Sequence, residues 1–283
     1  GIMKSIIANA KLAELQRLDN NRSRVQAMVD CFIDDVPWEQ NITRLDRLSK
    51  LTKADIISWA KEHITDGYIV LYKRQGEDTT IVKIDKPEIT PISSNRDMRS
   101  KFMEDFMAKT VEDIQPQFID FNKELTFSTT KNGLPIIYKQ NTTDDRFFLS
   151  YRFAFGELAD LRYDIASSYM TLLGTNKKSL EQIQRDFYDI ACSYGVSVGD
   201  ETTTITVSGL QENMPKAINM MENLLQDLKP DTAVYSKLLD QTAKGRMEGR
   251  KRQSNCYSAL VTYGLYGAHI PATDMPSVSE MRT

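Results

Sequence analysis

Metal and nucleophile chemistry depends on a few side-chain types, and here they are sparse. The 283-residue sequence has two histidines, His63 and His269, and three cysteines, Cys31, Cys192 and Cys256. Zinc takes its protein ligands in spaced sets, such as paired cysteines or two histidines one helical turn apart. His63 and His269 are far apart, and neither has a second histidine or cysteine at ligand spacing. His63 stands in "AKEHI", near the end of a helical pattern, where the helix dipole favours a cationic imidazole. His269 follows the Gly-rich "YGLYGA". The cysteines form no CxxC pair and read as reduced, mostly buried thiols. Ser254 and Ser258 have no histidine nearby in sequence, so nothing supports a serine triad. No GxSxG, P-loop or dinucleotide fingerprint is present. The residues therefore predict no catalytic and no metal-ligating side chain in this chain, and leave its binding residues open.

Charge narrows the partners. Charged residues make up 27% of the sequence and balance to a net −3. That gives no whole-chain basic field for nucleic acid or an anionic membrane. The one basic run, "GRMEGRKRQ" (Gly245–Gln253), has no interleaved aromatics and reads as a solvated helix face. No apolar run approaches the roughly 20 residues of a membrane helix. We expect neither a nucleic-acid partner nor a membrane span. Gly1 reads as a cloning scar, "IMKSIIANAKLAELQ" as the interior of a longer protein, and "PSVSEMRT" as an ending without a capped helix or closing strand. Bacterial periplasm and cytoplasm both fit.

The elements that would position any site follow from periodicity. Residues 2–18 place Ile6, Ile7, Ala10, Leu15 and Leu18 near a helical period, and 22–34 continue as a second helix before Pro37. "LTKADIISWAKEHI" opens on a capping-box pattern, Thr52 with Asp55, with Ile56, Ala60 and Ile64 on one face. Gly67 stops it, and "YIVLYKRQGE" is predicted as a strand. "IDKPEITPISSNRD" breaks the pattern. A short amphipathic helix follows, whose Phe102, Phe106 and Met107 are expected to pack onto a neighbouring lobe. From Leu125 a new module begins. "LTFSTTKNGLPIIYKQN" predicts a hairpin turning at Asn132-Gly133. "RFFLSYRFAFGEL" is a strand, with Phe148, Ser150, Arg152 and Ala154 alternating against Leu149, Tyr151 and Phe153. A helix ending at Gly174-Thr175 comes next, then one capped by Ser179 and Gln182, with Leu180, Ile183, Phe187 and Ala191 inward and Gly195 as its stop. A hairpin turns at Gly199-Asp200. A helix with Ile218, Met221, Leu225 and Leu228 inward and two more over 231–266 complete the series. Strands, paired helices, strands and helices in that order make an α+β fold.

The ordered set "LTFSTTKNGLPIIYKQN", "FAFGELAD", "YMTLLGTNKKSLEQIQRDFYDIACSYGVSVGDETTTITVSGL" and "ENMPKAINMMENLLQDL" resembles the front of one lobe of a pitrilysin/insulinase-type (inverzincin) zinc metallopeptidase. The resemblance spans about residues 125–281. "LTKADIISWAKEHITDGYIVLYKRQGE" resembles the last helix and closing strand of the lobe before it. The resemblance implies repeated α+β lobes of antiparallel-rich sheet packed with helices, as in LuxS/pitrilysin-like metalloenzymes, paired into a clamshell around a chamber. Residues 1–84 would be the C-terminal part of one lobe and 85–124 an inter-lobe linker with a short helix. Residues 125–283 would be the following lobe, degenerate and truncated.

In catalytic lobes of that family an H-x-x-E-H helix ends shortly before the Gly-Thr. Positions i and i+4 share a helical face, so two imidazoles can share one zinc, and the glutamate at i+3 can take a proton from zinc-bound water. Counting back from Gly174-Thr175, the histidine slots fall on Ile165 and Tyr169 and the glutamate slot on Ser168. Isoleucine has no lone pair, serine is too weak a base, and a neutral tyrosine is a poor zinc ligand. The resemblance thus implies a non-catalytic lobe, with no cofactor in this chain and zinc in a catalytic lobe of the parent protein, before Gly1. The partners it implies are that catalytic lobe or a partner subunit, and in the full protein a peptide substrate. The alternative is a non-catalytic scaffold or assembly subunit related to the family. An unrelated α+β binding domain would share the pattern without the paired lobes.

Overall fold

The computed structural model describes residues 1–73, 75–76, 84–92, 94 and 96–282. In chain order the helices are α1 (Ile2–Leu18), α2 (Asn21–Ile33), α3 (Trp38–Ile42), α4 (Arg44–Ser49), α5 (Lys53–His63), α6 (Lys101–Met107) and α7 (Phe121–Glu124). Strands β1 (Thr126–Thr129), β2 (Pro135–Tyr138) and β3 (Arg146–Phe153) follow, then α8 (Arg162–Met170) and α9 (Leu180–Asp189). The chain continues through β4 (Cys192–Val198), β5 (Thr203–Leu210), α10 (Met214–Gln226), α11 (Thr232–Gly249) and α12 (Gln253–Tyr266). Two short helices, α13 (Pro271–Asp274) and α14 (Val278–Arg282), come last. Helices dominate, both sheets are antiparallel, and the class is α+β. By contacts the chain divides into two units, Gly1–Ala60 with Asn141–Thr283, and Lys61–Gln140.

The larger unit holds the core. Its sheet has the order β3-β5-β4. Along β5, Thr203, Ile205, Val207 and Gly209 are buried while Thr204, Thr206 and Ser208 are partly exposed, the alternation of a sheet covered on one side. The cover is α9 and α10. Ile183 and Phe187 from α9 and Ala217, Met221 and Leu224 from α10 pack onto Ile205, Val207 and Cys192. The predicted α9 capping box is present: Gln182 N donates to Ser179 Oγ at 3.2 Å and Ser179 N to Gln182 Oε1 at 2.9 Å. On α10 the expected Met221 is buried and Leu225 and Leu228 pack partly buried against the core, while Ala217 and Leu224, which were not expected, are the other buried residues.

The left-handed stop of α9 falls on Ala191, not Gly195. Ala191 has φ 47° and is fully buried, while Gly195 lies inside β4 opposite Thr206. The chain has to turn at once to bring Cys192 under Gly209, where a β-carbon on residue 209 would meet Ala191 O at 2.4 Å. Tertiary closure thus set the stop.

Helix α1 docks on this unit by polar contacts. Ser5 Oγ donates to Asp189 Oδ1 at 2.8 Å and Asn9 Nδ2 to Tyr188 O at 2.7 Å. Arg146, at the head of β3, pairs with Asp19 at 2.6 Å and Asp144 at 2.7 Å. The bond from Arg146 holds the Asp144 carboxyl below its usual range. Ile6 and Leu18, expected on the apolar face of α1, are exposed.

In the smaller unit β1 and β2 pair from Thr126↔Tyr138 to Thr129↔Pro135. The turn sits where expected but carries one residue more than a two-residue Asn-Gly loop. Gly133 N donates to Thr130 O at 2.9 Å and Gly133 alone takes positive φ, at 81°. Two expectations fail here. Residues 68–73 form no strand, and Ile69 and Leu71 are 95% and 91% exposed. The remainder of that prediction includes Arg74 and Glu77, which lie outside the described residues. A β-rich segment without a pairing edge does not become a strand. Phe102, Phe106 and Met107 are exposed rather than packed, the two rings stacking on each other at 6.3 Å. Among the described residues no helix is long and apolar enough to cross a membrane.

Candidate functional site

The three positions that the counting from Gly174-Thr175 picked out lie on α8. Ile165 is 9% exposed and Ser168 and Tyr169 are half-buried. Ile165 and Tyr169 are four residues apart and so share a helical face. The backbone carbonyl of Ser168 accepts from Thr171 Oγ1 at 2.8 Å. The Tyr169 hydroxyl donates to Asp231 O at 2.8 Å and accepts from Asp231 N at 2.7 Å. Its ring meets Tyr235 edge-on at 5.1 Å. Asp231 is itself the N-cap of α11, accepting from Ala233 N at 2.9 Å and Val234 N at 3.0 Å. The Tyr169 phenol therefore ties α8 to the start of α11. Sequence reading missed Asp231 and Tyr235. The signal was there, since a Pro-Asp pair before a helical pattern marks an N-cap.

These groups do not fit zinc. An aliphatic side chain, a hydroxyl and a phenol already bonded through its oxygen supply no set of basic lone pairs. Among the described residues no group of three or more His, Cys, Asp or Glu side chains gathers as a metal site. His269 lies exposed, its Nδ1 3.3 Å from Asp274 Oδ2. His63 ends α5, in the other unit. Cys31 is half-buried, Cys192 buried and Cys256 exposed. Burial pushes the Cys192 thiol up to about 11.

The Gly-Thr after α8 is a structural corner. A β-carbon on Gly174 would meet Lys178 O at 2.6 Å. Thr175 N donates to Lys178 O at 2.8 Å, and Thr175 Oγ1 accepts from Lys178 N at 3.0 Å. Lys229 N donates to Gly174 O at 3.0 Å, fixing the corner to the end of α10. Beside it, between α9 and α10, opens a cleft of about 480 Å³ floored by Ile183, Phe187 and Leu224. On its rim Lys178 pairs with Asp186 at 2.5 Å. Asn176 Nδ2 donates to Asp227 Oδ1 at 2.7 Å.

No family model matches the sequence. No curated protein matches it either. Solved structures are similar to it. A mutant of the ferredoxin protease FusC in complex with Arabidopsis ferredoxin superposes with a TM-score of 0.50 at 13% identity, over 99% of this chain and 33% of that one. The periplasmic protease PqqL from Escherichia coli gives 0.49 at 14% identity, over 83% and 24%. A peptidase M16 inactive domain from Pseudomonas fluorescens gives 0.48 at 16% identity, over 54% and 40%. The chain thus spans between 24% and 40% of the length of these structures. The likeness to FusC runs through nearly the whole chain, and at 13% identity it is a likeness of fold alone: the chain is an α+β protein whose fold is similar to that of FusC.

Proposed function

We propose that this chain is a non-catalytic segment of a larger pitrilysin-type zinc endopeptidase that cleaves peptides or unfolded proteins. It supplies chamber wall and hinge, while the zinc site belongs to another lobe of the parent chain or to a partner subunit. In this reading residues 1–84 are the rear of one lobe, 85–124 the linker and 125–283 the following lobe.

The observation that carries the reading is the state of α8. The helix keeps its place before the Gly174-Thr175 corner, yet its second ligand slot holds a phenol bonded to Asp231. A helix whose former metal face is spent on tethering its neighbour contributes shape. Enclosure has chemical value, because holding a flexible peptide near a reactive centre lowers the entropic cost of reaction. The fold shared with FusC over a third of that protein's length supports the same view.

The test is chelator-sensitive cleavage of an unfolded peptide by the full parent protein, with this chain alone as the comparison. Cleavage by the parent, lost on removing zinc and absent from the chain alone, is the expected result. A parent with no zinc-dependent cleavage points to the scaffold alternative, and cleavage by the chain alone overturns the proposal.

A further inference from the structure

Where β3 runs into α8, three aromatic rings form an open shelf. Phe153 and Phe155 lie 5.7 Å apart and Phe155 and Tyr163 5.0 Å apart, both pairs tilted. They stay 41%, 39% and 37% exposed, although each is large enough to anchor a core. The backbone beneath is rigid. Glu157 N donates to Gly199 O and Leu158 N to Asp200 O, both at 2.9 Å, and Thr203 Oγ1 donates to Phe155 O at 2.9 Å. Gly156 permits the crossing, since a β-carbon there would meet Gly199 O at 2.0 Å.

Three carboxylates stand beside the shelf. Glu157 is half-buried, and the charges that act on it are the carboxylates of Asp164 and Asp200. Burial first and those two neighbours second raise its carboxyl above the usual range. Among the described residues none of the three carboxylates makes an ion pair or side-chain hydrogen bond. Of the two arginines nearest in sequence, Arg162 is turned onto Asp160, its Nε 2.9 Å from Oδ1, and Arg152 precedes Phe153 in β3 and so points to the opposite face of the strand. Like charges held together without a counter-charge disfavour the folded state, and a cation placed among them reverses the sign. Exposed ring faces attract the same kind of group through their quadrupoles.

Aromatic faces and unmatched carboxylates on one fixed platform select one chemistry. We infer that the Phe153–Phe155–Tyr163 shelf, rimmed by Glu157, Asp164 and Asp200, binds a cationic segment of an extended peptide, with a Lys or Arg side chain or the amino terminus over the rings. The inference stands apart from the peptidase reading, because it concerns binding by this chain alone.

The experiment titrates the 283-residue chain against a short fluorescein-labelled Lys/Ala peptide and its Glu/Ala counterpart, read by fluorescence anisotropy. At low ionic strength the Lys peptide binds at least about tenfold tighter than the Glu peptide, and added salt narrows the gap. The combined Glu157→Gln, Asp164→Asn, Asp200→Asn variant, checked for folding by circular dichroism, erases the preference. Phe155→Leu, which keeps apolar bulk without the ring face, weakens the Lys peptide about threefold. Equal binding of the two peptides, no binding of either, or an unchanged preference in the folded triple variant overturns the inference. Because no hydrolysis is measured, that failure leaves the chamber-wall proposal to its own test.

Discussion

The Tyr169 hydroxyl meets both backbone groups of one residue, the carbonyl and the amide of Asp231. Tyr169 is half-buried and Asp231 is exposed, so water can replace the phenol if it is removed. Tyr169→Phe is therefore expected to cost about 1 kcal/mol, the net worth of ordinary hydrogen bonds exchanged with solvent. Leu173, one turn further on, is 4% exposed. Its truncation to alanine leaves a cavity as well as losing buried area, and is expected to cost about 2–5 kcal/mol. Urea unfolding of both variants checks the order. If Tyr169→Phe proves as damaging as Leu173→Ala, the phenol belongs to a network that solvent cannot enter, and its role exceeds that of a tether.

At the scale of elements, local chemistry decided the starts of α5 and α9, and tertiary closure decided the stop of α9. The α9 capping box involves only Ser179 and Gln182, a pair visible in sequence and present in the structure. Ser179→Ala should cost about 1 kcal/mol while Ser179→Asp, which can still cap, costs little. Thermal melts of the two variants separate the cap from a general loss of polarity, and equal losses would refute the capping role. Thr52 and Asp55 behave alike at α5, Thr52 N donating to Asp55 Oδ2 at 2.8 Å. Such caps were legible because every partner lies within a few residues. The β3 alternation was legible in part, Leu149 and Tyr151 being less exposed than Phe148, Ser150 and Arg152, while Phe153, expected on the same side as Leu149 and Tyr151, is exposed. The stop at Ala191 was not, because it answers to the approach of Gly209 from a distant strand. Residues 68–73 misled for the opposite reason, since their β-branched and aromatic content describes a strand only where a neighbouring edge exists. The site was half legible. Counting back from Gly174-Thr175 located Ile165, Ser168 and Tyr169 on α8, but nothing local revealed that the phenol would find Asp231, 62 residues on.

At the scale of the whole molecule the question is whether zinc chemistry could be built on α8. A complete structural zinc site is worth roughly 10–16 kcal/mol of binding at neutral pH. That requires a full ligand set, and the described residues gather none. Elemental analysis of the dialysed chain should therefore find no stoichiometric zinc. One tightly held zinc per chain, lost on substituting His63 or His269, would place a site where none is expected. The stricter test writes an H-x-x-E-H motif into α8 with Ile165→His, Ser168→Glu and Tyr169→His together. Two histidines on one face would bind zinc only weakly, because catalytic sites use three protein ligands and the third comes from elsewhere in the fold. The same change removes the bonds from Tyr169 to Asp231 and places a polar ring at a position 9% exposed. A catalytic group also needs a supporting shell to hold it in productive geometry. The triple variant is expected to melt below the parent chain and to cleave no unfolded peptide with zinc supplied. Zinc-dependent cleavage by that variant would mean that a third ligand and a substrate-binding wall already stand in place around α8, and that this segment is one substitution event away from an enzyme rather than part of the enclosure for one.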